Sequence, residues 1–241
     1  MSIQIIPDKT NACWDVFLNK NMGELERIQL KIGSSYYPCR ENVLRFMMND
    51  ISNVKCVIMG MEPYCTDYQR NGCVIPEATG RSFEVDSVDD WGIKFRQSSL
   101  RNILKAIYYC YYGEILDMDT LREYIQKGLF DIPVPKEWFN NLESQGVLFL
   151  NASLTVTPHM VDSHSNYWTS FMNNLIEFID DKSKPRWLLW GNKAKDRVLP
   201  LIDGKNVICS PHPRLFSFVE DCCFKRIPQI NWLGMKEDIT K

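Results

Sequence analysis

Residues 55–65 read Lys-Cys-Val-Ile-Met-Gly-Met-Glu-Pro-Tyr-Cys, KCVIMGMEPYC. The apolar run Cys56–Met59 breaks at Gly60. That pattern predicts a buried strand running into a loop. The loop then presents an acid, a proline and a tyrosine. A carboxylate just beyond a buried strand costs desolvation unless something there uses its charge.

Three later segments repeat the pattern. Val147–Leu150 leads into Asn151, Trp187–Trp190 into Gly191-Asn192, and Val207–Cys209 into Ser210-Pro211-His212-Pro213. Helical periodicity fills the intervals. It runs from Trp14 to a stop at Gly33, over Val43–Met47, over Leu100–Tyr111, over Trp138–Leu142 up to Gly146, over Trp168–Ile179 and over Lys193–Leu199. Ser98-Ser99 read as capping residues for the third of these helices. His164 reads as a cap for the helix beginning near Tyr167, and Trp14, Trp138 and Trp168 as core. Residues 1–12 read as frayed, 60–82 as a long loop, Phe83–Val85 as a short extended piece, and 113–135 as turns.

Strands separated by helices predict right-handed crossovers. The fold class expected is α/β, with a central four-stranded parallel sheet flanked by helices on both faces. The 241 residues, 45% of them apolar, fit one domain over 1–241. No linker or internal repeat interrupts the chain. The start, MSIQIIPDKT, lacks a basic region followed by a long apolar core, so no secretory leader is expected. No apolar run approaches the ~20 residues of a membrane span.

The nine cysteines include no C-x-x-C pair. Zinc and iron–sulfur centres are therefore not expected. Buried free thiols in a reducing compartment are expected, meaning cytoplasm or a nucleus. The net charge of −2 gives no hint of nucleic acid. Any such surface must come from local cations: Arg214, Lys193, Lys195, Lys225 and Arg226.

In open α/β sheets ligands bind outside the carboxyl ends of the strands. Those ends would bring Glu62, Asn151 and His212 to one crevice. A carboxylate can activate water, an amide can pair with a heterocycle edge, and an imidazole can stabilise a developing anion. With an aromatic platform such as Phe83, the set suits hydrolysis of a nucleoside N-glycosidic bond. Taken singly, Glu62 reads as a solvated loop acid, Asn151 as a turn residue, Phe83 as core and His212 as a stiff loop.

The chain resembles the family-1 uracil-DNA glycosylases along nearly its whole length. VKCVIMGMEPYC resembles the family's G-Q-D-P-Y-H motif, and ATGRSFEV the stretch with the base-stacking phenylalanine. QSSLRNILKAI resembles P-P-S-L-x-N-I, and GVLFLNASLTV the strand end L-L-N-x-x-L-T-V. SHSNYWTSF, LLWGNKAK, SPHPRLFS and IPQINW follow in the family's order.

The resemblance implies a monofunctional glycosylase that flips a base out of DNA and leaves an abasic site. Glu62 takes the place of the water-activating acid and His212 that of the group stabilising the leaving base. Met61, Tyr64, Phe83 and Asn151 take base-binding positions, with Tyr64 walling the C5 edge. Ser99 and Ser217 would grip phosphates beside Arg214, and Leu215 or Phe216 would wedge into the gap left by the flipped nucleotide. The partner implied is DNA, single- or double-stranded, with no cofactor, no metal and no membrane, and the protein a monomer.

The pattern departs at Glu62 for aspartate, at Cys65 for histidine, in a longer loop between Tyr64 and Phe83, and in Arg214-Leu215-Phe216 at the wedge. The first three surround the C5 edge of the base. Two substrates stay open: uracil, or a 5-modified cytosine such as glucosylated hydroxymethylcytosine of phage DNA, the latter making the enzyme an antiviral defence. A third reading is a catalytically weak scaffold relative that binds DNA or a polymerase.

Overall fold

The computed structural model describes residues 4–235. Its elements in chain order are α1 (Asp15–Ile32), α2 (Arg40–Val43), β1 (Cys56–Gly60), β2 (Asp67–Arg70), β3 (Cys73–Pro76), α3 (Ser98–Tyr112), α4 (Met118–Gln126), α5 (Pro135–Ser144), β4 (Val147–Asn151), α6 (Ser165–Ser183), β5 (Arg186–Trp190), α7 (Asn192–Val198), β6 (Val207–Ser210) and α8 (Ser217–Asp221). The strands β4-β1-β5-β6 form one parallel sheet in that order. The sequence-derived fold class is the observed one.

The strands β1 and β4 are buried on both faces and β5 is buried beyond Arg186, because helices cover the sheet on either side, while the edge strand β6 leaves Cys209 exposed. Cys56, Ile58, Phe149, Leu188 and Trp190 pack under α3, α5 and α8. Val57, Met59, Leu150, Trp187 and Leu189 pack under α1, α6 and α7. The alternation along β1 is the period-two side-chain rule of a strand. Trp14, Trp138 and Trp168 are core, as expected.

Five local expectations are corrected. Ile5 is fully buried, so the described part of 1–12 is packed rather than frayed; Met1–Ile3 lie outside the described residues. Within 60–82 the chain forms the antiparallel hairpin β2–β3, turning on Asn71-Gly72 with φ of 53° and 77°, the pair a tight hairpin turn favours. Residues 118–126 are helical, started by Asp117, whose carboxylate accepts from the N–H groups of Asp119 and Thr120.

Ser98 and Ser99 lie inside the first turn of α3, with Gln97 at the cap position and no side-chain cap bond. Lastly, Cys110 and Cys222 are joined as a disulfide, with Cα atoms 5.6 Å apart across 112 residues of sequence, so these two are not free thiols. The packing of α8 against α3 brings them together.

Among the described residues no helix is long and apolar enough to cross a membrane.

Phe149 sits in β4 against Phe139, with ring centroids 4.8 Å apart, and is 3% exposed. Phe149→Ala is expected to cost about 3–5 kcal/mol of stability through lost burial and a cavity, read from the urea unfolding midpoint.

Candidate active site

The parallel register sets the site. Gly60 at the end of β1 lies opposite Asn151 at the end of β4. A Cβ on Gly60 would overlap Asn151 Oδ1 and come within 2.7 Å of Ser82 Cβ. Glycine is thus what lets the Asn151 amide lie across the strand end. Beyond the pair, the N–H groups of Ala152 and Ser153 donate to the carbonyls of Gly60 and Met61 at 3.0 and 2.8 Å. The two loops therefore leave the sheet side by side.

A cleft of about 310 Å³ opens above these strand ends. Met61, Glu62, Tyr64, Phe83, Ser99, Asn151, His212 and Arg214 line it. Leu215, Phe216 and Ser217 are not part of its lining. They form an exposed rim just past Arg214, with Leu215 and Phe216 56% and 54% exposed.

Phe83 has φ of +66°, a left-handed backbone that a bulky residue rarely adopts, so of the extended piece expected over 83–85 it is Val85, bridged to Ala78, that is borne out and not Phe83. The surrounding loop enforces the conformation. Arg81, 5% exposed, pairs with Glu84 at 3.0 Å, donates to Asn140 at 2.7 Å and also pairs with Glu143. Ser82 Oγ donates to the Ile58 carbonyl at 3.1 Å. Trp190 backs the Phe83 ring at 5.1 Å. An aromatic face is thereby held rigid at the cleft wall.

Asn151 is 3% exposed, and its side-chain amide, for which no hydrogen bond is found among the described residues, is not sealed from the cleft it lines. A buried amide without a protein partner has its donor and acceptor left for a ligand.

His212 stands between Pro211 and Pro213 after β6. Its Nδ1 accepts from the Arg214 backbone N–H at 3.0 Å. That bond leaves the neutral ring with its proton on Nε2. Burial pushes the imidazole pKa down, and the Arg214 charge pushes it the same way. Gly191, at φ +86°, makes room for the ring: a Cβ there would lie 2.9 Å from His212 Cβ.

The Glu62 carboxylate accepts from the Asp162 backbone N–H at 2.7 Å. Burial raises its pKa, the Asp162 amide opposes this, the Asp162 carboxylate adds to it, and Lys193 opposes it. The Tyr64 hydroxyl is held un-ionised by burial and by the nearby Glu77 carboxylate. Burial and Glu62 likewise keep the Cys65 thiol protonated.

Several contributors were not singled out in the sequence. Asn102, in the segment QSSLRNILKAI, donates from Nδ2 to the Pro213 carbonyl at 2.7 Å and ties the rim to α3. Gly191, read in the sequence only as a strand end, gives His212 its place. Val161, 73% exposed, also lines the cleft from the loop between β4 and α6. His164 occupies the cap position of α6 without capping it; its ring bonds the Thr155 and Thr157 hydroxyls, each at 2.9 Å. Among the suggested surface cations, Arg226 is engaged by Asp221 at 2.6 Å. No cluster of three or more potential metal ligands occurs among the described residues.

A parallel sheet whose strand ends join an acid, an unbonded amide and a neutral imidazole beside an aromatic platform is the frame of a base-handling α/β protein. Comparison with known proteins agrees. No family model matches the chain. It is 34% identical over 182 residues to the uracil-DNA glycosylase of Idiomarina loihiensis, covering 73% of this chain and 70% of that one. It is 31% identical over 218 residues to the uracil-DNA glycosylase of Campylobacter curvus, covering 88% and 80%. The structure superposes on the UNG of Nitratifractor salsuginis with a TM-score of 0.73 at 22% identity, covering 95% and 94%. For the mimivirus uracil-DNA glycosylase the TM-score is 0.64 at 19% identity, covering 88% and 71%. The chain belongs to the uracil-DNA glycosylase family.

Because the folded pKa of His212 is depressed, its contribution to stability is present above the unfolded value and lost as pH falls through the folded one. Its NMR titration midpoint is expected below 6.5. Arg214→Ala, which keeps the backbone N–H but removes the charge, is expected to move that midpoint up. An unmoved midpoint would remove Arg214 from the electrostatics of the ring.

Proposed function

We propose that this protein is a monofunctional DNA glycosylase that flips uracil out of DNA and hydrolyses its N-glycosidic bond. The observation that carries this reading is the placing of Glu62, Asn151 and a neutral His212 around one cleft with Phe83 on its wall.

Each group has a chemical part. The flipped pyrimidine stacks on Phe83, and Asn151 pairs with its edge. Tyr64 stands as the C5 wall, and Met61 beside it completes the base pocket. As the glycosidic bond breaks, the sugar becomes oxocarbenium-like and the base gains negative charge. The Nε2–H of His212 donates to that charge, and a neutral donor needs no proton transfer to do so. Ionised Glu62 orients water toward the sugar carbon and accepts its proton. Ser99 and Ser217 bind phosphates on either side of the flipped nucleotide, with Arg214 adding charge. Leu215 and Phe216, apolar and exposed, fill the vacated stack; flipping costs a few kcal/mol that such contacts offset. DNA is the only partner this scheme requires, and the protein acts as a monomer.

One observation favours a second substrate. With no protein partner fixing the Asn151 amide, it can rotate to present either hydrogen-bonding pattern, one matching uracil and the other cytosine. A cytosine carrying a 5-substituent, as in modified phage DNA, would also need Tyr64 displaced. Uracil needs no such movement and is the first reading.

The test is excision by the purified protein on uracil-containing duplex and, side by side, on glucosylated phage DNA. Alkali-labile sites are expected with uracil. Glu62→Gln is expected to slow excision about 10²–10⁴-fold, and His212→Ala about 10²–10³-fold, both with unchanged unfolding midpoints. Abasic sites from neither DNA would overturn the glycosylase reading and leave a DNA-binding scaffold. Wild-type rates in both variants would overturn the assignment of the site.

A further inference from the structure

The loop between β4 and α6 contributes no group to the scheme above, yet it is sewn to the segment that carries the acid. Ser153 N–H donates to the Met61 carbonyl at 2.8 Å, and His159 N–H donates to the Cys65 carbonyl at 2.7 Å. Between these ties, Asp162 N–H donates to the Glu62 carboxylate at 2.7 Å. Glu62 is thus bracketed, on both sides in sequence and at its own side chain, by one neighbouring loop.

That loop is built to hold its shape. His164 is 5% exposed, and its two ring nitrogens bond the hydroxyls of Thr155 and Thr157. Ser163 Oγ accepts from Thr157 N–H at 2.8 Å, and Ser165 Oγ donates to the Asp162 carbonyl at 3.2 Å. His159 also meets Asp67 at 3.0 Å, and Asp67 accepts from the Tyr37 hydroxyl at 2.6 Å. Asp162 itself has φ of +59°, a left-handed conformation that aspartate and asparagine tolerate better than most residues. An amide fixed at that point is a preorganised donor aimed at a carboxylate.

We infer that Asp162 is a positioning residue: its backbone amide fixes the carboxylate of Glu62 where it activates the water that attacks the sugar carbon, and it makes the long side chain of glutamate, rather than aspartate, the acid that works in this chain. This inference rests on the glycosylase reading of the site. A glutamate has one more rotatable bond than an aspartate, and an unanchored one would sample several positions. The anchoring bond removes that freedom. An aspartate at position 62 would be about 1.5 Å shorter and would not reach the amide.

The charged and titratable groups facing Glu62 are Asp162 from this loop, Lys193 from α7, and the Cys65 thiol from its own loop. The backbone amide and Lys193 favour the ionised acid. The Asp162 carboxylate opposes it.

The test is carried out on the full chain and has two arms. In the first, the titration of the residue-162 amide proton is followed by NMR in Asp162→Asn, where the residue's own carboxyl no longer contributes. The amide proton is expected to move with the midpoint of the Glu62 carboxyl carbon. It is expected to stay flat in the double variant with Glu62→Gln. In the second arm, Glu62→Asp is expected to lower kcat for excision at least tenfold with little change in KM, while the unfolding midpoint stays in place.

An amide that ignores Glu62 would overturn the inference, and so would wild-type kcat in Glu62→Asp. The first arm needs no excision. If wild-type protein excises neither uracil nor the glucosylated base, it is the glycosylase reading that fails, and the titration still reports whether the anchor exists.

Discussion

The site depends on the parallel pairing of β1 with β4, which sets Gly60 opposite Asn151. A side chain at position 60 would overlap the Asn151 amide, so the strand end has room for that amide only because residue 60 is a glycine. The same pairing carries the chain on into two adjacent loops, one holding Glu62 and the other Asp162. A shift of one residue in register would turn every side chain of β4 to the opposite face. Asn151 would leave the cleft, and the bond from Asp162 to Glu62 could not form. The helices on both faces hold this register by burying the strands completely.

Electrostatically the site works against its own burial. Desolvation pushes Glu62 toward the neutral acid and His212 toward the neutral imidazole. In the proposed reaction the push suits His212, whose neutral ring with its proton on Nε2 would be the donor, and works against Glu62, which would have to be ionised to activate water. The Asp162 amide and Lys193 supply the compensation. Both effects are local and independent of the net charge of −2.

Much of the architecture was legible in the sequence because burial writes itself as period. The four strands are short apolar runs ended by Gly60, Asn151, Gly191 and Ser210, and each appears within a residue or so of its expected bounds. Glu62, Asn151 and His212 were legible for the same reason, as polar residues placed just past apolar runs. Elements that carry little burial were harder to read. The hairpin β2–β3 is largely exposed and had only Asn71-Gly72 to announce it. Helix α4 spans Met118–Gln126, with Leu121 as its deeply buried apolar anchor. The left-handed backbone at Phe83 has no sequence signature; it occurs where Arg81, Ser82 and the Phe83 ring are each tied to residues distant in the chain. Backbone donors such as Asp162 N–H are invisible in any sequence, since every residue but proline has one.

The proposed function requires a flipped pyrimidine to seat in the strand-end cleft between Phe83, Asn151 and His212. The most direct measurement is a crystal structure of the Glu62→Gln variant bound to duplex DNA carrying deoxyuridine. The expected result is the uracil out of the stack, its face on Phe83, its edge paired with Asn151 and its O2 within hydrogen-bond distance of His212 Nε2. A uracil still paired in the duplex, or seated away from Asn151 and His212, would contradict the account.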